Sequence, residues 1–403
     1  MKLHKKASLP KVSTITLPGS KSISHRALIA ADLSGMPIES IKGLSGCDDT
    51  QFLLRAIQNQ QQEKHDFGDG ATPLHFFMVL AAAKNKPLVL TGSERLMQRP
   101  HGDLINLLSQ CDSVIKQTPQ EIIIDKGIQS FQSITADATR SSQHISAMML
   151  VAPLFPGLKE IVITDKPASF PYIKLTADLM RIFGVDTFIS EENILIETGS
   201  YQPPETLQIE PDWSAAAFFY SLVSCAPGMS ILLKGLRLNS MQGDSALANF
   251  YYELGVSSTQ TEDGILISHS GKFNPNPVVN LINYPDCAPT IMATCAYLRI
   301  NASFTGLENL VLKESNRLEA MAVNLKQTGA NISLRNGAYF LSYDENILAN
   351  TPLDIKTHGD HRIAMAIAIF GLKHTVNIDN PECVSKSFPG FWQQWSHWFH
   401  SDR

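Results

Sequence analysis

Six short polar motifs along this chain each run directly into a helix-length stretch of alanine and large apolar residues. They read SKSISHRALIAADL from Ser20, GATPLHFFMVLAAA from Gly70, RSSQHISAMMLVAPL from Arg140, DWSAAAFFYSLVSCA from Asp212, DCAPTIMATCAYL from Asp286 and DHRIAMAIAIFGL from Asp360. Successive starts lie 50, 70, 72, 74 and 74 residues apart, the mark of one unit used six times. A helix that is apolar nearly all round is buried, so each unit contributes a core helix and opens only its polar end to a surface or cleft. Helix N-termini attract anions through free N–H groups and the macrodipole. Several of these ends carry Lys, Arg, Ser or His, so the pattern predicts a site for a heavily charged anion.

A second set of helices alternates with the first and is amphipathic. Leu175, Leu179, Ile182 and Phe183 fall on one face before Gly184; Leu247, Phe250, Tyr251 and Leu254 do so before Gly255; Leu318, Met321, Ala322 and Leu325 before Gly329. That spacing marks a single buried stripe, and each glycine reads as a helix stop. Short β-like runs follow, among them DTFIS, GILIS, ANISL and AYFLS. Each unit of about 70 residues is thus a mixture of two helices and several strands, an α/β arrangement. Six units exceed one ordinary core, so two domains of three units are expected, with a boundary near Glu210–Asp212 after the loop YQPPET.

The remaining bulk properties narrow the function. Hydrophobic content of 44% and charged content of 18% are those of a globular protein. A net charge of -5 offers no general attraction to nucleic acid, so an anion site must be local. Cysteines at 47, 111, 225, 287, 295 and 383 form no CxxC or zinc-finger spacing and read as buried free thiols of a reducing compartment. MKLHKKASLPKVS lacks the apolar core of a secretory signal, and no run reaches the roughly 18 apolar residues of a membrane span. The expectation is a soluble, cytoplasmic protein.

Five motifs carry candidate chemistry. In LPGSKSISHR, Gly19 and Ser20 free the backbone, Lys21 and Ser22 start a helix, and Arg26 is expected one turn on, on the same face, a grouping suited to phosphate or carboxylate. It is not a Walker A loop, because Ser20 breaks the GK[ST] tripeptide and the upstream glycine is missing. In KESNR, Lys313 and Arg317 are expected on one helical face with Glu314 beside them. In GDHR, Asp360 caps a helix whose first turn holds His361 and Arg362; His358 adds an HxDH spacing, yet nothing else resembles a metal site and none is expected. Ser141, Ser142 and Gln143 offer hydroxyl and amide contacts for a polyol phosphate or simply a helix cap. KSFPGF places Lys386 in a loop before an aromatic segment.

Together these motifs resemble the EPSP synthase, or 3-phosphoshikimate 1-carboxyvinyltransferase, family. LPGSKSISHRAL, SSQHISA, PYIKLT, MQGD, PDCAPT, KESNRLEAMA, GDHRIAMA and KSFPGF follow the family's order from residue 17 to about 391. The resemblance implies a two-domain inside-out α/β barrel, each domain made of three βαβαββ units around buried helices. It implies residues 1–18 with 213–403 in one domain, 19–212 in the other, and an active site in the cleft between them. It also implies transfer of the enolpyruvyl group of phosphoenolpyruvate to the 5-hydroxyl of shikimate 3-phosphate, through a tetrahedral intermediate, with no metal or cofactor. Since the family's site lies within one chain, a monomer suffices. By the same resemblance shikimate 3-phosphate meets Lys21, Ser22, Arg26, Ser141, Ser142, Gln143, Ser169, Tyr172, Asp286, Asn309 and Lys313. Phosphoenolpyruvate meets Lys21, Arg99, Gln143, Arg317, Arg362 and Lys386. Asp286 is the implied base, Glu314 and Lys21 the proton-transfer groups, and His361 an aid to the phosphate.

The segment FGDGATPLHF departs from the family's GNAGT followed by arginine: Asp69 takes the Asn place, Ala71 the Gly place and His75 the Arg place. Asp69 and Thr72 are therefore doubtful ligands, unless Asp69 turns outward or pairs with Arg95 or Arg99. A methyl at Ala71 should crowd glyphosate, which occupies the family's phosphoenolpyruvate pocket, more than the substrate. Val311 likewise stands at an Arg place. Two rival readings remain: the sister enzyme that transfers enolpyruvyl to a UDP-amino sugar, which normally has Lys-Asn where Lys21-Ser22 stands and a loop Cys absent from RPHGD, and an inactive anion-binding relative.

Overall fold

The computed structural model describes residues 1–197, 199–343 and 352–402. Its chain divides into two units, Gly19–Glu210 and Met1–Pro18 with Pro211–Arg403. In Gly19–Glu210 the helices are α1 (Lys21–Ser34), α2 (Asp48–Gln58), α3 (Ala71–Ala83), α4 (Glu94–Met97), α5 (Gly102–Ser109), α6 (Gln143–Val151) and α7 (Phe170–Ile182). The second unit holds α8 (Trp213–Cys225), α9 (Leu247–Tyr252), α10 (Ala288–Leu298), α11 (Arg317–Lys326), α12 (His361–Ile367) and α13 (Phe391–Trp395).

All six apolar stretches are helices, and they form the two interiors. In one unit α1, α3 and α6 pack together; in the other α10 packs against both α8 and α12. Every residue of α8 is buried, and α3 and α10 are buried almost throughout. Their alanines allow close approach of helix backbones, while Phe76, Phe77, Phe218 and Phe219 fill the remaining volume.

Around these helices stand small sheets with one recurring plan. In the first full example Lys64–Asp66 runs parallel to Leu88–Thr91, with α3 as the crossover, and Leu88–Thr91 pairs antiparallel with Glu121–Lys126 of a following hairpin. The same plan recurs with α6 between Ser133–Ala136 and Lys159–Ile163, and with α10 between Val278–Asn280 and Ala302–Thr305. The sequence DTFIS, GILIS, ANISL and AYFLS runs are all strands. The sheet of the first repeat, Ile41–Lys42 with Leu207–Gln208, has only two strands among the described residues, which accounts for the shorter 50-residue first spacing.

Two pairings tie distant segments. Val12–Thr16 lies parallel to Ser230–Lys234, although all of Gly19–Glu210 intervenes. Lys2–Lys5 sits between Val376–Ile378 and Phe399–Asp402, completing the last sheet.

Two details of the amphipathic reading need correction. Ile182, the last residue of α7, is 39% exposed rather than part of the buried stripe. Gly255 does not stop a helix: α9 ends at Tyr252, and Gly255, at φ 81°, lies in the strand Leu254–Gln260 where the register shifts against its neighbour. Its positive φ serves a bulge rather than a cap. Gly184 and Gly329, at φ 77° and 82°, follow α7 and α11 as the pattern suggests.

Candidate active site

In Gly19–Glu210 several candidate residues sit at or just before helix starts. Ser20 caps α1, its Oγ accepting from the Ile23 amide. Gly19 is required by contact: a Cβ there would lie 1.8 Å from the Gly43 carbonyl oxygen. The cap leaves Lys21 as the first residue of α1, and its Nζ reaches Asp49 Oδ2 at 2.8 Å. Asp49 belongs to the first turn of α2 and is nearly inaccessible, so a buried carboxylate holds a partly exposed ammonium.

Arg26 does not share Lys21's face. It is 2% exposed and points among α1, α6 and α7. Its Nε donates to Thr176 Oγ1 at 2.7 Å, Nη1 to the Ser22 carbonyl at 2.9 Å, and Nη2 to Ser146 Oγ and the Tyr172 carbonyl. The guanidinium also stands 5.3 Å from the Phe76 ring centre. Burial lowers its pKa to about 10, leaving it charged at neutral pH. The expected common face of Lys21 and Arg26 fails because five residues on a helix turn about 500°, so the two side chains diverge.

Ser141 Oγ accepts from the Gln143 amide, while Ser142 occupies the cap position of α6 without a side-chain cap bond. Ser169 precedes α7 in a left-handed conformation, φ 58°, and is buried. A strained serine of this kind is a frequent mark of a ligand-facing turn. The Tyr172 carbonyl holds Arg26 and Thr176. Arg99 follows α4, with its amide donating to the Leu96 carbonyl.

The divergent loop has its own support. Asp69 is exposed and accepts a hydrogen bond from Ser93 Oγ, the residue that also caps α4. Ala71 is the buried first residue of α3. His75 is buried against His101, Nε2 to Nδ1 at 2.9 Å, with the His144 ring 4.8 Å away centre to centre.

The second unit gathers an ion network. Arg317, 1% exposed at the first position of α11, donates through Nε to Asp360 Oδ2 at 2.9 Å, through Nη1 to Asp286 Oδ1 at 2.9 Å and through Nη2 to Glu314 Oε2 at 2.7 Å. Arg362 Nη2 reaches the other Asp286 oxygen at 3.1 Å. Asp360 caps α12 by accepting from the Arg362 amide, as its position in GDHR suggests, and also accepts from Ser315 Oγ. Burial alone would raise the Asp286 pKa, but Arg362, Arg317 and Lys313 overcome it and hold the group well below the usual carboxylate range. His361 is buried, its Nδ1 3.9 Å from Asp360. Asn309 is buried in the turn Glu308–Leu312, and Lys386 is buried in the turn Pro381–Lys386.

KESNR is not helical at its start. Lys313 adopts an extended conformation after the Glu308–Leu312 turn, and Asn316 caps α11 by accepting from the Glu319 amide. Asn316 competes for the backbone as a cap residue does, so the helix cannot begin earlier. Lys313 still acts on Asp286 electrostatically. Val311 is exposed on that turn. Asp49 and the double role of Asp360 escape sequence reasoning, because nothing in their spacing ties them to Lys21 or Arg317. Asp244 of MQGD escapes too: it is buried beside Ser214, and burial first, then Asp286, push it up to about 6.

Comparison with known proteins gives the chain's family. The family model EPSP synthase (3-phosphoshikimate 1-carboxyvinyltransferase) matches residues 55–395. The chain belongs to the EPSP synthase family. It is 36% identical over 389 residues to the 3-phosphoshikimate 1-carboxyvinyltransferase of Bacteroides fragilis, covering 94% of this chain and 93% of that one. It is 31% identical over 422 residues to the enzyme of the same name from Cronobacter sakazakii, covering 96% of each. An EPSP synthase structure from Acinetobacter baumannii superposes over 100% of both chains with a TM-score of 0.76 at 19% identity, which shows the shared fold. Among the described residues of this family member no helix is long and apolar enough to cross a membrane.

Proposed function

We propose that this chain transfers the enolpyruvyl group of phosphoenolpyruvate to the 5-hydroxyl of shikimate 3-phosphate, releasing inorganic phosphate, in aromatic amino acid biosynthesis. Family membership across nearly the whole chain carries this reading, and the candidate side chains supply matching chemistry. Two phosphates and two carboxylates bring roughly five to six negative charges. Lys21, Arg99, Lys313, Arg317, Arg362 and Lys386 supply positive charge to meet them, and Arg26 adds its charge from behind α1.

The reaction adds the 5-hydroxyl to C2 of phosphoenolpyruvate while C3 takes a proton; phosphate then leaves as C3 returns a proton. Asp286 is the base for the hydroxyl, Glu314 and Lys21 move the protons at C3, and His361 assists the departing phosphate. An aspartate clamped by two arginines is a weak base. An incoming anion that takes Arg317 and Arg362 as its own partners would loosen that clamp and raise the basicity of Asp286. The base would then be strongest only once phosphoenolpyruvate is present.

Shikimate 3-phosphate is held in this reading by Ser22, Arg26, Ser141, Ser142, Gln143, Ser169, Tyr172, Asn309 and Lys313. Arg26 acts chiefly by bracing the helices that present the serines, since its hydrogen bonds already go to protein atoms. The enzyme works as a monomer in the cytoplasm, with side-chain cations doing what a metal would otherwise do.

The test is phosphate release from phosphoenolpyruvate with shikimate 3-phosphate or a UDP-amino sugar as acceptor. Release only with shikimate 3-phosphate is expected. Release only with the UDP-sugar would reassign the acceptor, and substrate binding without release would mark an inactive relative.

A further inference from the structure

Two of the residues that depart from the family pattern, Asp69 and His75, both reach the segment that carries Arg99. Asp69 stands two residues before α3, and His75 lies just past the first turn of that helix. Asp69 accepts from Ser93 Oγ, and the same oxygen accepts from the Leu96 amide at 3.1 Å. A carboxylate only accepts, so the Ser93 proton goes to Asp69 and a lone pair is left to cap α4. The backbone repeats the tie, the Ser93 amide donating to the Gly68 carbonyl at 2.8 Å. Gly92 is so close to that carbonyl that a Cβ would stand 2.6 Å from its oxygen.

The far end of the segment is tied through two rings. His101 Nε2 lies 2.9 Å from the Leu96 carbonyl oxygen. A carbonyl only accepts, so Nε2 carries the proton. His101 is buried, and burial lowers its pKa, so the ring is neutral and its Nδ1 is an acceptor. His75 Nε2, 2.9 Å away, is therefore the donor. The Leu96 carbonyl also takes the Arg99 amide at 3.1 Å. One run of bonds thus leads from α3 through His75 and His101 to the turn that bears Arg99.

We propose that Asp69 and His75 are positioning residues for Arg99: they fasten both ends of Ser93–His101 to the start of α3. The four residues of α4 are too few to hold a helix by themselves, so the place of Arg99 depends on what anchors the segment. A long side chain presented from a fixed turn has less freedom to lose when it meets an anion. This inference rests on the proposed function, in which Arg99 meets phosphoenolpyruvate.

Hydrogen exchange of the whole protein, read by mass spectrometry, tests the fastening without substrate. In His75→Leu and in Asp69→Ala the amides of residues 94–99 should exchange about fivefold faster, with α1, α6 and α7 unchanged. His75→Gln, whose Nε2 can donate from near the place of the ring Nε2, should restore the wild-type rate. Asp69→Asn, whose Oδ1 still accepts, should do the same. Unchanged exchange in His75→Leu and Asp69→Ala, or no recovery in the conservative variants while they keep the wild-type melting temperature, overturns the proposal.

Kinetics test the positioning. His75→Leu and Asp69→Ala should each raise KM for phosphoenolpyruvate about five- to tenfold, the equivalent of one net hydrogen bond, with KM for shikimate 3-phosphate within about twofold. In an Arg99→Ala background neither change should cause further loss. Equal losses in both backgrounds, or equal rises in both KM values, overturn the proposal. Faster exchange beside an Arg99→Ala enzyme of unchanged KM overturns it through the proposed function, whereas unchanged exchange overturns it through the fastening itself.

Discussion

Asp286 Oδ1 and Arg317 Nη1 are bonded at 2.9 Å, and the arginine is the less accessible of the two. Arg317 meets three carboxylates and Asp286 meets two guanidiniums, so neither can be altered without disturbing the other's charge balance. Removing one member of such a cluster leaves an uncompensated buried charge.

Asp286→Asn keeps the shape of the side chain and removes its basicity. Phosphate release should fall at least about 100-fold, the contribution expected of a general base, with the fold retained by circular dichroism. Activity within tenfold of wild type would move the base elsewhere.

Lys21→Ala should abolish transfer and also destabilise the protein, because Asp49 is left buried without its ammonium. The loss should be on the order of 3 kcal/mol, read from denaturant unfolding. Adding Asp49→Asn should restore much of the stability and none of the activity. Restored activity in the double variant would remove Lys21 from the chemistry.

Asp244 gives a pH signature of opposite sign to Asp286. An unfolded aspartate loses its proton near pH 4, whereas in the folded protein Asp244 keeps it to about 6. The folded state therefore binds the extra proton, and stability from this group falls as pH rises from 4 to 6. Asp244→Asn should gain on wild type across that interval by up to about 3 kcal/mol and hold the gain above it. A stability difference that is flat with pH would contradict the assigned titration.

Ala71 places a methyl at the buried start of α3. Wild type should be less sensitive to glyphosate than Ala71→Gly, with KM for phosphoenolpyruvate changed less than the inhibition constant. No gain of sensitivity in the glycine variant would show that the methyl does not crowd the inhibitor.

Much of this was legible in the chain because burial and capping are local properties. The six apolar helices, the cap at Asp360 and the strands after the amphipathic helices follow from patterns within a dozen residues. Contacts set by tertiary packing were not legible. Lys21 and Asp49 come from different helices, and Arg26 turns inward because Thr176 and Ser146 receive it from two others. The KESNR spacing fits a helix from Lys313, but the Asn316 cap starts the helix later. Gly255 forms a bulge where a helix stop is expected for a similar reason: a glycine after an apolar run serves a cap or a bulge equally well.

The pairing of Val12–Thr16 with Ser230–Lys234 bears on how the molecule is made. On a ribosome the first strand emerges long before its partner, and every residue from Gly19 to Glu210 follows it out. That inserted stretch can complete its own core while the earlier strand waits unpaired. One unit can thus mature during synthesis and the other only after it. Slow translation beyond residue 210 should prolong the exposure of that waiting strand.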